Sequence, residues 1–142
     1  MIYNVSYNDK ETREKINDLV GSPIPLLKRI KMGGNGSPRF RILEASEAIS
    51  EKISRTNMIN YCNIELREGG IVVGFRSHQE NYAWTIPYYK LSIHSTGKRY
   101  ILYHDTEFIK IENDHKSGVN AAFLKKLRTL QHQFMGNSYI DL

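Results

Sequence analysis

Two hydrophobic periods divide the chain. Up to about residue 57 the apolar positions recur in helical spacing and are broken by turn signals, whereas from Asn60 they alternate one by one. After a short strand-like start (Ile2, Val5, Tyr7), Asn8 followed by Glu11 forms a capping-box pattern that predicts a helix over about residues 9–20. That helix would bury Ile16, Leu19 and Val20 and stop at Gly21-Ser22-Pro23. The segment SPIPLLKRIKM carries two prolines that forbid a central strand, and Gly33-Gly34-Asn35-Gly36-Ser37-Pro38 reads as an exposed loop. A short strand is expected over residues 39–43. A second helix follows over 45–55, with Ala45, Ala48, Ile49 and Ile53 on its apolar face.

In the second half, Cys62, Ile64 and Leu66 alternate with Asn63, Glu65 and Arg67. Gly69-Gly70 then permits a tight turn, and Ile71, Val73 and Phe75 return in the same phase, which predicts a hairpin. Between Asn81 and His94 the phase slips: Tyr82, Trp84, Ile86 and Tyr88 share one parity, and Tyr89, Leu91 and Ile93 the other. A straight strand points alternate residues to opposite faces, so a bulge or bend near Pro87 is required to aim both sets at one core. After a turn at Ser95-Thr96-Gly97, residues 100–104 and 108–112 form a second hairpin around Asp105-Thr106. The chain closes with a helix capped by Ser117 and ended by Gly136, whose stripe is Phe123, Leu127, Leu130 and Phe134. The expected fold class is therefore α+β, a bent antiparallel sheet closed by a C-terminal helix, in one domain of 142 residues.

This order of elements, with the bent strand Trp84-Thr85-Ile86-Pro87-Tyr88-Tyr89-Lys90-Leu91, resembles a bacterial pleckstrin-homology-like (PH-like) domain over about residues 58–134. The resemblance implies a partly open barrel plugged by a C-terminal helix, with residues 1–57 as an N-terminal extension containing two short helices. Its members bind lipid headgroups or peptides, or have no known ligand. In the phosphoinositide binders a long basic loop between the first two strands grips the phosphates. Here that connection is Glu68-Gly69-Gly70, flanked by Arg67 and Arg76, which argues against a membrane lipid as the ligand.

Composition narrows the function classes. No apolar run approaches the length needed to cross a bilayer, and the first residues carry no secretory-signal pattern, so a cytoplasmic location is expected. The lone Cys62 excludes an internal disulfide and a multi-cysteine metal site, and its strand phase marks it as a core residue. Five histidines, at 78, 94, 104, 115 and 132, form no His-x-x-x-His or Cys/His pair, so no metal and no cofactor is expected. His94 and His104 fall on strands that could be neighbours, and His104 with a carboxylate such as Asp105 is a dyad from which a small hydrolase could be built, although residues of this type at a hairpin tip are usually just solvated.

The net charge of +5 favours anionic partners. Lys28, Arg29, Lys31, Arg39 and Arg41 flank the glycine loop and form the candidate anion-binding set, although the loop lacks the Gly-Lys-Ser/Thr ending of a P-loop. A mobile, solvated loop is the plainer reading. Tyr82, Tyr88 and Tyr103 are the candidate aromatic surface, on which bases could stack, with cross-strand packing as the alternative. Without a catalytic constellation, the expectation is a non-catalytic binding or assembly module, not an enzyme. It would contact another protein or a second copy of itself; electrostatic binding of single-stranded nucleic acid or another polyanion is the alternative.

Overall fold

A computed structural model describes residues 1–52, 60–77, 80–113 and 119–140. The chain runs β1 (Ile2–Asn4), α1 (Lys10–Val20), α2 (Leu26–Met32), β2 (Phe40–Ala45), α3 (Glu47–Ser50), β3 (Tyr61–Leu66), β4 (Gly70–Ser77) and β5 (Glu80–Pro87). A 3-10 turn, Tyr88–Lys90, leads to β6 (Leu91–Thr96), β7 (Arg99–His104), β8 (Glu107–Asn113) and α4 (Val119–Ile140). All strands belong to one antiparallel sheet of order β1-β5-β4-β3-β2-β8-β7-β6. The α+β class and the antiparallel sheet are as the alternation predicts.

The bend at Pro87 has a geometric consequence. β5 stands second from one edge and β6 is the other edge, six strand gaps away. In a flat sheet that is about 29 Å, yet the link from Pro87 to Leu91 reaches at most about 14 Å. The sheet therefore curls strongly. The 3-10 turn also restores the phase: Trp84 and Ile86 before it, Tyr88 at its start and Leu91 after it are all buried, whereas Tyr89 and Lys90 are turned out.

The main core fills the concave side, with Phe40, Ile64, Leu66, Ile71, Val73, Trp84, Ile86, Leu102, Ile109 and Ile111 from the strands. Phe123 and Leu127 of α4 are buried against them, and Leu130 and Phe134 pack on as half-buried neighbours, so the predicted stripe does face the sheet. Gln131 of the same helix donates to the carbonyls of Tyr88 (3.1 Å) and Leu91 (2.9 Å), fixing the helix to the bend. A smaller cluster, Ile16 and Val20 against Val72 and Ala83, seats α1 on the convex side.

Several expectations are corrected. Residues 1–57 are not simply a helical extension: β1 pairs with β5, and β2 lies in the middle of the sheet, between β3 and β8. The segment after the prolines is a third helix, α2. Asp9, not Asn8, caps α1, accepting from the Glu11 amide and the Thr12 hydroxyl. Leu19 is exposed because only Ile16 and Val20 fall on the face that meets Val72 and Ala83. Gly136 does not end α4, which continues to Ile140. The Ser117 cap, Ile53 and His78 lie outside the described residues.

Candidate functional site

The helix α2 is the most unusual surface. Pro25 precedes it, and Gly33 ends it at φ 79°, donating to the Ile30 carbonyl while Gly34 donates to that of Arg29. Lys126 of α4 donates to the Gly33 carbonyl at 2.9 Å, and Lys28 pairs with Glu68 in the β3–β4 turn. Met32 packs on the main core. At about 100° per residue, Leu26, Ile30 and Leu27 share an arc roughly opposite Met32, bordered by Arg29 on one side and Lys31 on the other. Seating the helix through Met32 thus turns the apolar arc outward: Leu26 is 62%, Leu27 76% and Ile30 68% exposed. Side chains of this type are rarely left together in water without a partner.

The five cations of the candidate anion set do not form one patch. Asn35 and Ser37 hydrogen-bond to Leu66 and Ile64, so the glycine loop runs along β3. Lys28, Arg29 and Lys31 sit on α2 near the Leu66 end of β3, whereas Arg41 pairs with Tyr61 at its other end. Five residues of strand, about 17 Å, separate these ends. Arg39 and Arg41 remain together, with the Arg39 guanidinium 3.9 Å from the Tyr61 ring centroid.

The three candidate aromatics have three different environments. Tyr88 is a core residue, 1% exposed, and not part of a surface; burial pushes its phenol pKa up. Tyr82 is half-buried and stacked on Phe75 at 5.6 Å. Tyr103 is half-buried between His94 and Phe108, with ring centroids at 5.5 and 6.1 Å.

His104 lines a cleft of about 500 Å³ at the β5–β6 bend with Tyr3, Leu19, Tyr89 and Lys90. Its Nε2 is 3.7 Å from Asp105 Oδ2, beyond hydrogen-bond reach, and Asp105 is also 3.6 Å from the Lys90 ammonium. Burial lowers the His104 pKa, so the imidazole is held neutral and without an aligned carboxylate. His94 faces the opposite side of the sheet, packed on Tyr103. Cys62 is buried and its thiol is pushed up to about 12 by burial, far from a reactive thiolate. Among the described residues no group of three or more His, Cys, Asp or Glu side chains is placed to hold a metal, and no helix is long and apolar enough to cross a membrane.

Arg67 is a structural residue that the sequence alone does not reveal. A charged side chain next to a turn reads as solvated, yet Arg67 is 8% exposed. Its guanidinium donates to Glu65 (3.0 and 3.3 Å), to Asn17 Oδ1 (2.9 Å) and to the Gly21 carbonyl (2.7 Å), tying α1 to the sheet. Those contacts engage four of its five N–H donors and hold the guanidinium against α1 and Glu65 rather than toward a ligand at the short β3–β4 connection. No protein-family model matches the sequence, and no curated protein matches it either.

Proposed function

We propose that this chain is a non-catalytic docking module, a partly open PH-like barrel that engages another protein through the outer arc of α2. The observation that carries the reading is the exposure of Leu26, Leu27 and Ile30 on a helix otherwise anchored through Met32, Lys28 and Gly33. Covering the three side chains would contribute on the order of 4 kcal/mol before association costs, too little alone for tight binding. The remaining attraction would come from Arg29 and Lys31, which border the arc.

Charge decides the occupant. Two α2 arcs packed symmetrically would oppose Arg29 and Lys31 to their own copies, which disfavours self-association through this face. The fitting partner is a protein with an apolar groove rimmed by carboxylates. The curl of the sheet and the α4 plug support the barrel, and the engaged Arg67 and short β3–β4 turn speak against a phosphoinositide headgroup. The non-enzymatic reading draws on His104 and Asp105, which stand beyond hydrogen-bond reach of each other.

The test compares the full chain with L27D/I30D, which should fold normally because both side chains are exposed. The reading predicts a protein that co-purifies with the wild type, is lost from the variant and, once purified, binds more weakly as salt rises. Identical recovery by both proteins contradicts it. So does Leu27-dependent sedimentation with phosphatidylserine vesicles.

A further inference from the structure

A second surface lies on the convex face of the sheet, away from α2. Phe40, Cys62 and Phe75 point into the core, so the residues between and beside them point out: Arg39 and Arg41 from β2 and its entry, Tyr61 and Asn63 from β3, Gly74 and Arg76 from β4. The register places Arg41 opposite Tyr61, Asn63 opposite Gly74, and Arg76 opposite Asn81. α1 covers the Val72 end of this face but not the Gly74 end. The result is a groove of about 710 Å³, floored by Gly74 and Ala83 and walled by Val5 on one side and the Gly36-Ser37 segment on the other.

We propose that this groove binds single-stranded nucleic acid, with the Arg39–Tyr61 pair as its stacking platform and Arg41 and Arg76 as its phosphate contacts. The Arg39 guanidinium carbon is 3.9 Å from the Tyr61 ring centroid and the side chain remains exposed, presenting a planar cation on which a base can stack. Arg41 and Arg76 stand on the two strands beside β3, about 10 Å apart, which suits successive phosphates of a chain. Among the described residues no carboxylate pairs with Arg39, Arg41 or Arg76. The one acid lining the groove, Glu65, is already engaged by Arg67. A Cβ at Gly74 would come within 2.7 Å of Asn63 Oδ1, so the Asn63 amide lies across the floor, where it and the exposed Asn81 amide offer donors and acceptors to a base. An extended acidic peptide is a poorer fit. Such a peptide adds to a sheet edge, and the edges are β1 and β6, whereas the groove crosses β3 to β5.

The test is fluorescence anisotropy on the full chain with labelled oligothymidine and oligouridine of about twelve nucleotides. The expected result is binding at low salt with a log–log salt slope of about −1.4, reduced in magnitude by about 0.7 in R76A. R39A should weaken binding about tenfold. G74V displaces the Asn63 amide without changing charge and should also weaken binding; its thermal unfolding is measured alongside. R29A/K31A, on α2, should leave affinity unchanged. The proposal is overturned by absence of binding at low salt, by displacement of the oligonucleotide equally well by poly-glutamate, or by R39A and R76A binding as the wild type does. Because α2 variants and groove variants are separate, failure here leaves the α2 docking reading standing, and the reverse.

Discussion

The Tyr88 hydroxyl donates to the backbone carbonyl of Arg67 at 2.6 Å, inside the core. Together with the Tyr88 amide, which donates to the Gly69 carbonyl at 3.0 Å, it joins the bend that follows β5 to the turn that follows β3. Tyr88→Phe leaves the Arg67 carbonyl without this donor and should cost about 1–3 kcal/mol. Denaturant unfolding would show a lower midpoint with an unchanged slope.

On the other side of the same residue, the Arg67 guanidinium holds α1 through Asn17 and the Gly21 carbonyl. Arg67→Lys keeps the charge but not the planar fork, so it should not restore the network. Both Arg67→Lys and Arg67→Met should speed amide exchange in α1 while the β7–β8 hairpin stays protected. Equal loss of protection in both regions would contradict this role.

Two glycines make a controlled pair. A Cβ at Gly70 would lie 2.4 Å from the Ile86 carbonyl oxygen, 2.6 Å from Val20 Cγ1 and 2.9 Å from Pro87 Cα. Gly70→Ala should therefore cost about 3 kcal/mol or more, since backbone on one side and α1 on the other must move. Gly97 has nothing within 4 Å and only a positive φ of 61°, so Gly97→Ala should cost about 1 kcal/mol. Thermal unfolding of the two variants should rank them in that order.

The burial of His104 predicts a pH effect. Its folded pKa is lowered, so the unfolded chain binds the proton more readily. This contribution to stability is complete above the unfolded value near 6.5 and is lost as pH falls through the folded value. His104→Gln should flatten the stability profile below about pH 6.5. A slope unchanged by the substitution would assign it to other groups.

The legible parts of the fold were those where one local rule acts alone. Gly69-Gly70 announced the β3–β4 hairpin, and the phase slip from Ile86 to Leu91 announced the bend, because alternation is strict in a strand. The stripe Phe123, Leu127, Leu130 and Phe134 faces the core for the same kind of reason. What stayed hidden depends on partners distant in sequence. Phe40 to Ala45 alternates no more clearly than an edge strand, and only pairing with β3 and β8 makes it central. Arg67 looked solvated until Asn17 and Gly21 were brought to it. The grouping of Lys28, Arg29 and Lys31 with Arg39 and Arg41 followed closeness in sequence, and the glycine loop running along β3 carries the two groups apart. The outward arc of α2 was equally hidden, because three apolar residues on a short helix read as core until Met32 is found to hold the opposite side.

The docking role of that arc is tested most directly by photo-crosslinking from position 27. With p-benzoylphenylalanine in place of Leu27 in the full-length chain inside its own cells, irradiation should give one dominant adduct with another protein, mapped to an apolar segment bordered by Asp or Glu. The same probe at Tyr7, which is equally exposed at 76%, should not give that adduct. Adducts only with lipid or with a second copy of this chain, or the same adducts from both positions, would contradict the account.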